Sequence, residues 1–290
     1  MRYFLKNIAL FLGFPFVFLL LSVFILQQIN INALKVRGPI STVFVGDSHI
    51  QCGLDPASFD AASNIATNSE HYFFSYFKLK KFIELNPSVK EAFVGFSHHN
   101  ISSYYDSHYD GKYADLSSSK SFFFLPRNYQ IQYVTNTKKG VSTYYKSIIK
   151  RSYNAYQNKL YGFDNHFVNT QAIQNTMDKR IITQFYNEKE LRSISESNML
   201  YLGKIIELCR SNAIQLSFIT TPVDPYYKKN IPKKFIDAYN MVRDTSSIRI
   251  IDFEGLALEN TDFAPDGDHV ALKATNALGQ FIKDSSSTKY

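Results

Sequence analysis

The apolar positions of this chain fall into three regimes. Residues 8–26 form an unbroken run of 19 residues without a charged side chain. At about 1.5 Å per helical residue, such a run reaches across most of a ~30 Å hydrocarbon core. From residue 41 the pattern changes to short β-branched and apolar stretches that alternate with helical spacing. Residues 41–45 predict a strand ending at Gly46, and 63–66 a second short strand. Phe74, Phe77, Leu79, Phe82, Ile83 and Leu85 mark an amphipathic helix over 73–85, stopped by Asn86-Pro87. Residues 91–96 predict the next strand. The rhythm resumes with a helix over 190–211, a strand over 213–220 and a helix over 232–243 that carries Pro232 in its first turn. A strand over 248–253 and a closing helix over 271–283 complete it.

This alternation predicts an α/β fold with a parallel sheet covered on both faces. Ligands of such sheets bind at the carboxyl ends of the strands. Gly46-Asp47-Ser48, Ser97-His98 and Thr220-Thr221-Pro222 each follow a predicted strand and so converge on one rim. Residues 101–189 break the rhythm and read as a large insertion beside that rim, as a lid or a docking surface. It is rich in tyrosine, including Tyr104, Tyr105, Tyr109, Tyr113, Tyr144, Tyr145, Tyr153 and Tyr156. Such aromatic density suits sugar stacking, a membrane interface or simple packing.

The ends of the apolar run set the expected organisation. Arg2 and Lys6 precede it, and the next basic residues are Lys35 and Arg37. Positive residues on the near side favour a cytoplasmic N-terminus and an exported remainder. The competing reading, a cleaved signal peptide, needs small residues before the cut, and 27–33 offers no small-x-small site. The expectation is therefore an anchor and linker over 1–37, polar from 27 to 39, then an extracytoplasmic domain over 38–290.

Charge adds little. The chain has 32 Lys+Arg against 25 Asp+Glu, with much of the excess in Lys138, Lys139, Lys146, Lys150, Arg151 and Lys159. No nucleic-acid recognition motif accompanies them, which argues against a nucleic-acid partner. They make a solvated face or a contact for anionic lipid or polymer. Two cysteines, Cys52 and Cys209, allow one bridge or two buried thiols, and their spacing suits no metal.

Two fragments carry chemistry. Gly46-Asp47-Ser48 puts a hydroxyl on a strand-to-helix turn, and serine needs a base to become nucleophilic. Asp266-Gly267-Asp268-His269 supplies that base, with Asp266 near enough on the same loop to orient the imidazole and Asp268 pointing elsewhere. The acidic turn alone is also a good helix start, which accounts for the aspartates without the histidine. The G-x-S-x-G elbow is absent. His98 and His99, adjacent at a strand end, point to opposite sides and do not share an ion easily. His49 with His98 is the remaining metal combination, and hydrogen-bonded loop histidines are the plainer reading. No metal and no cofactor are expected. Residues 220–226 form a rim loop in the cleft without a chemical role.

Gly46-Asp47-Ser48 with Gly53-Leu54-Asp55-Pro56 downstream, and Asp266-x-x-His269, resemble the SGNH (GDSL-type) hydrolases over residues 40–285, the insertion unmatched. The likeness is to their membrane-anchored branch, with the alginate O-acetylation and D-alanyl-lipoteichoic acid transfer proteins. It implies a three-layer SGNH-like fold with one N-terminal transmembrane helix, Ser48 as nucleophile, His269 as base and Asp266 as its partner. It also implies a membrane-bound O-acyltransferase partner and an exported glycan or glycolipid substrate. The second and third sequence blocks depart from the family: 64–67 has no glycine, and 95–100 lacks Gly-x-Asn-Asp. Gly46, Asp47, Asn64, Ser97 and His98 are the remaining candidates for oxyanion or substrate contacts. Serine-dependent O-acyl transfer through acyl-Ser48 is the expected activity. An esterase or deacetylase uses the same three residues, and a silent scaffold for a partner or polymer is the reading outside catalysis.

Overall fold

The computed structural model describes residues 1–156 and 161–287. Five strands form one parallel sheet: β1 (Thr42–Val45), β2 (Ala62–Asn64), β3 (Glu91–Gly95), β6 (Gln215–Ile219) and β7 (Arg249–Ile251), in the order β2-β1-β3-β6-β7. β4 (Tyr186–Asn187) and β5 (Glu190–Leu191) make a separate antiparallel pair. Val43, Phe44 and Val45 are buried in succession, as are Ala92, Phe93 and Val94, so both faces of the central strands are covered. The α/β expectation with a parallel sheet therefore holds. The strand order reverses at β1, whose neighbours β2 and β3 lie on opposite sides of it. That reversal opens a crevice at the carboxyl ends of β1 and β3.

The α-helices are α1 (Arg2–Ala33), α2 (Ser48–Gly53), α3 (Tyr72–Leu85), α4 (His98–Ile101), α5 (Asp106–Tyr109), α6 (Ala114–Ser117), α7 (Arg127–Asn136), α8 (Gly140–Tyr156), α9 (Gln174–Phe185), α10 (Glu196–Ser211), α11 (Pro225–Lys229), α12 (Lys233–Thr245) and α13 (Thr275–Ser287). α3 packs on α10, and α10 on β6. Leu278 and Ile282 of α13 join Ile50 and the sheet residues in the main core.

Two expectations need correction. Residues 27–33 were expected as linker, yet α1 continues through them to Ala33. Leu26, Asn30 and Leu34 are buried, and the Asn86 amide donates to the carbonyl of Leu34 at 2.8 Å. The helix persists because its last turns are packed into the domain. Residues 101–189, expected as irregular, are largely helical from α4 to α9 over the described part. Their aromatic residues build a second core in which Tyr133, Phe122 and Phe123 meet Phe73, Phe74 and Phe77 of α3 and Leu26 of α1. Tyr153 lies among side chains outside the described set. Among the described residues no helix is long and apolar enough to cross a membrane. The anchor expected over 8–26 falls partly on side chains outside that set, such as Leu12 and Leu19.

Candidate active site

β1 delivers the chain to Gly46, whose φ is +149°. A Cβ there would stand 2.9 Å from Ile50 Cγ1 and 3.3 Å from the Gly95 nitrogen. A glycine is required where α2 crosses this close to β3. The Asp47 carboxylate caps α2 by accepting the backbone N–H of His49 at 3.0 Å. Ser48 is thus the first residue of α2, with its own N–H among the donors that a helix start leaves without an intrahelical acceptor.

His269 arrives from the loop between β7 and α13. The turn closes with Gly267 N–H donating to Ala264 O at 2.9 Å, and Gly267 adopts φ +62° in it. Asp266 Oδ1 accepts the backbone N–H groups of Asp268 at 3.2 Å and His269 at 3.1 Å. Its Oδ2 faces His269 Nδ1 at 2.8 Å, and His269 Nε2 faces Ser48 Oγ at 2.8 Å. With Nδ1–H donating to Asp266, Nε2 is left to accept from the serine hydroxyl. Burial pushes the Asp266 carboxyl up, but the charge and hydrogen bond of His269 outweigh it and bring it down to about 2. The ring of Phe167 stacks on His269 with centroids 5.6 Å apart.

A second buried network adjoins this chain. Asp47 Oδ2 accepts from Asn100 Nδ2 at 2.8 Å, from His99 Nε2 at 2.9 Å and from the Tyr105 hydroxyl. The His49 ring lies 4.1 Å from that of His99 and 4.8 Å from that of His269, centroid to centroid. His49 Nδ1 is 2.7 Å from Thr221 Oγ1. His49 Nε2 is 3.2 Å from Asp268 Oδ1, close enough for an ion pair although poorly aligned for a hydrogen bond. Asp268 Oδ2 accepts from Arg180 Nε and Gln184 Nε2, both at 2.7 Å, and Gln184 Oε1 accepts from the Tyr227 hydroxyl. Burial raises the Asp268 carboxyl, yet His49 and Arg180 hold it well below the usual range. Burial lowers His49, but Asp268 outweighs it and the net shift is upward. His99 is shifted down, chiefly by burial.

The structure thus brings Ser48, His269 and Asp266 into one hydrogen-bonded series and gives the other expected residues different places. Gly46 and Asp47 shape the turn. Asn64, at the end of β2, supports α2: its Nδ2 donates to Ile50 O at 3.0 Å and Leu54 O at 2.8 Å, and its Oδ1 accepts Ala66 N–H at 2.9 Å. With both amide protons committed to the far end of α2, Asn64 presents no donor to Ser48. Ser97 and His98 line a neighbouring cavity of about 460 Å³ with Thr220, Thr221, Lys228 and Tyr239. The His98 ring stacks on Tyr239 at 4.4 Å, and burial is the largest influence bringing its pKa down to about 4. The rim loop at 220–226 does more than line the cleft, because Thr221 positions His49.

Sequence reasoning missed Arg180, Gln184 and Tyr227; nothing local marks them. Asp268 bonds Arg180 and Gln184, while Asp266 bonds the His269 ring. His49 meets His99 rather than His98, and His49, His99 and Asp268 lie close enough together to surround a cation. The Arg180 guanidinium already supplies positive charge to Asp268, and His99 Nε2 is bonded to Asp47. Cys52 and Cys209 are free, buried thiols.

No family model matches this chain. No curated protein matches it either. Among solved structures it is similar to one from Streptococcus pneumonia described provisionally as a platelet activating factor. That likeness has 11% identity and a TM-score of 0.44, over 96% of this chain and 98% of the other.

Proposed function

We propose that this chain is a serine-dependent O-acyltransferase of the SGNH type, with the three-layer fold of that family, acting on an exported polysaccharide or glycolipid. The observation that carries the reading is the series Ser48 Oγ–His269 Nε2–Asp266, with 2.8 Å at both side-chain contacts. Ser48 Oγ attacks the acyl carbonyl while its proton passes to His269 Nε2. Asp266 holds the ring and balances the imidazolium. The oxyanion forms next to the first turn of α2, where the Ser48 N–H is the donor. The leaving group departs with the proton from His269, leaving acyl-Ser48. A sugar hydroxyl, deprotonated by His269, then attacks the ester and restores the serine. Water in place of the sugar gives the esterase reaction with the same residues.

The same reading takes α1 as a single membrane anchor with a cytoplasmic N-terminus. Phe11, Phe14, Phe18 and Phe24 are 77%, 76%, 65% and 59% exposed, an apolar surface that calls for lipid or protein cover. Tethering raises the effective concentration of a membrane-borne donor. A membrane-bound O-acyltransferase is the partner that would load it.

The test is intact-mass spectrometry of the full chain in detergent after exposure to a fluorophosphonate. One adduct on the wild type and none on Ser48→Ala is the expected result. An unlabelled wild type, under conditions that label a known serine esterase, refutes catalysis and leaves the scaffold reading. Acetyl content of envelope polymer from a deletion strain separates the two activities: it falls for a transferase and rises for a deacetylase.

A further inference from the structure

We propose that α8 is an interfacial helix, seated in the headgroup region of an anionic bilayer beside α1. The inference rests on the reading of α1 as the anchor. Along α8, Thr143 and Ser147 are buried, while Tyr144 and Ile148 pack against the aromatic core that contains Val23 and Leu26 of α1. An adjacent side carries Val141, Tyr145 and Ile149, spaced one helical turn apart and exposed by 58%, 56% and 71%.

Depth and charge identify the occupant. α8 packs against α1 at Val23 and Leu26, where the apolar run 8–26 ends. If that run crosses the hydrocarbon, α8 lies at the level of its boundary. Two aliphatic side chains flanking a tyrosine suit that level, since aromatic side chains with a polar tip favour the membrane–water interface. Lys138 and Lys139 stand exposed just before the helix, and Lys146 and Lys150 lie on it. Asp115 pairs with Lys146 at 2.5 Å and Asp110 accepts the Lys138 backbone N–H at 2.5 Å, so the face is basic without being uniformly so. An apolar stripe edged by lysines, continuous with an exposed apolar helix, fits anionic lipid better than a soluble partner.

The experiment places nitroxide labels on the full chain in nanodiscs of phosphatidylcholine with phosphatidylglycerol. The variants are Ile149→Cys, Val17→Cys and, as an aqueous control on α12, Met241→Cys. The native Cys52 and Cys209 are buried and stay unlabelled. Accessibility to oxygen and to a soluble nickel chelate gives depth. The expected result is nickel accessibility several-fold lower at Ile149 than at Met241, with Val17 deeper still. In phosphatidylcholine alone, Ile149 moves towards the aqueous value. Val17 in lipid with Ile149 matching Met241 overturns the proposal and leaves the stripe to a protein partner. Val17 in water removes the anchor reading, and the proposal with it.

Discussion

Replacing Asp268 by Asn gives a direct measure of the buried network beside the catalytic series. Asp268 is fully buried and faces Arg180 at 2.7 Å, Gln184 at 2.7 Å and His49 at 3.2 Å. The amide keeps the volume but removes the charge, leaving the Arg180 guanidinium without a carboxylate. Breaking a buried pair by removing one partner costs about 3–5 kcal/mol. With a urea dependence of roughly 3 kcal/mol per M for a domain of this size, the midpoint falls by about 1–1.7 M. The deficit depends on pH through two groups. Asp268 is depressed, so its contribution is present above about pH 3.9 and is lost as pH falls through its lowered value. His49 is raised, so its contribution is complete below about pH 6.5 and is lost as pH rises through its folded value. The gap between wild type and Asp268→Asn is therefore widest between those limits and narrows as pH rises through the folded-state value of His49. Urea titrations followed by far-UV circular dichroism, on the full chain in detergent, measure it at both ends. A midpoint shift below about 0.3 M near pH 6, or a gap that grows with pH, would refute the ion-pair account.

Asp266→Asn leaves the loop intact but supplies the wrong hydrogen-bond partner to His269 Nδ1; fluorophosphonate labelling of Ser48 slows by about 10⁴-fold, read by quenched mass spectrometry. Asn64→Ala strips two carbonyls and one N–H of buried partners. It destabilises by about 3 kcal/mol or more in the same urea assay. Labelling of its folded fraction stays within about tenfold of wild type, whereas loss of an oxyanion donor costs ~10²–10³. Cys52 and Cys209 are buried, and desolvation is the chief cause of both thiols rising to about 12. Ellman's reagent titrates neither in the native chain and both in guanidinium; a native thiol reacting within minutes contradicts the packing around it.

What the sequence made legible was whatever depends on neighbours in the chain. Four of the five sheet strands could be placed from apolar runs, because a buried parallel strand reads as a largely apolar stretch, whereas the edge strand β2, Ala62-Ser63-Asn64, carries no such run and was met only at its end by the expectation over 63–66. Ser48 follows one of these, and Asp266 sits three residues before its histidine, so both elements of the site were local patterns. Arg180 and Gln184 meet Asp268 across 88 and 84 residues, and no spacing rule connects them. The helices of 101–189 were missed for another reason: their Tyr, Ser and Asn content is poor in helix propensity, and packing on α3 and α1 holds them helical. One signal was available and unused. Ser195 accepts the N–H of Asn198 at 3.0 Å, which starts α10 at Glu196 rather than near 190.

The insertion's contacts also decide between a lid and a frame. Tyr105 from its start bonds Asp47, while Arg180 and Gln184 near its end bond Asp268. Asp47 caps the helix that carries Ser48, and Asp268 lies one residue from His269. A swing that opened these segments would strip partners from two buried carboxylates at once. At about 3–5 kcal/mol for the broken Arg180–Asp268 pair and about 1.5–3 kcal/mol for the Tyr105 hydrogen bond to a charged group, that is a large part of the stability of an ordinary domain. The ends of the insertion are therefore fixed supports for nucleophile and base. Any motion that admits substrate belongs to the segments between them, or to the rim loop around Thr221 on the other side of His49.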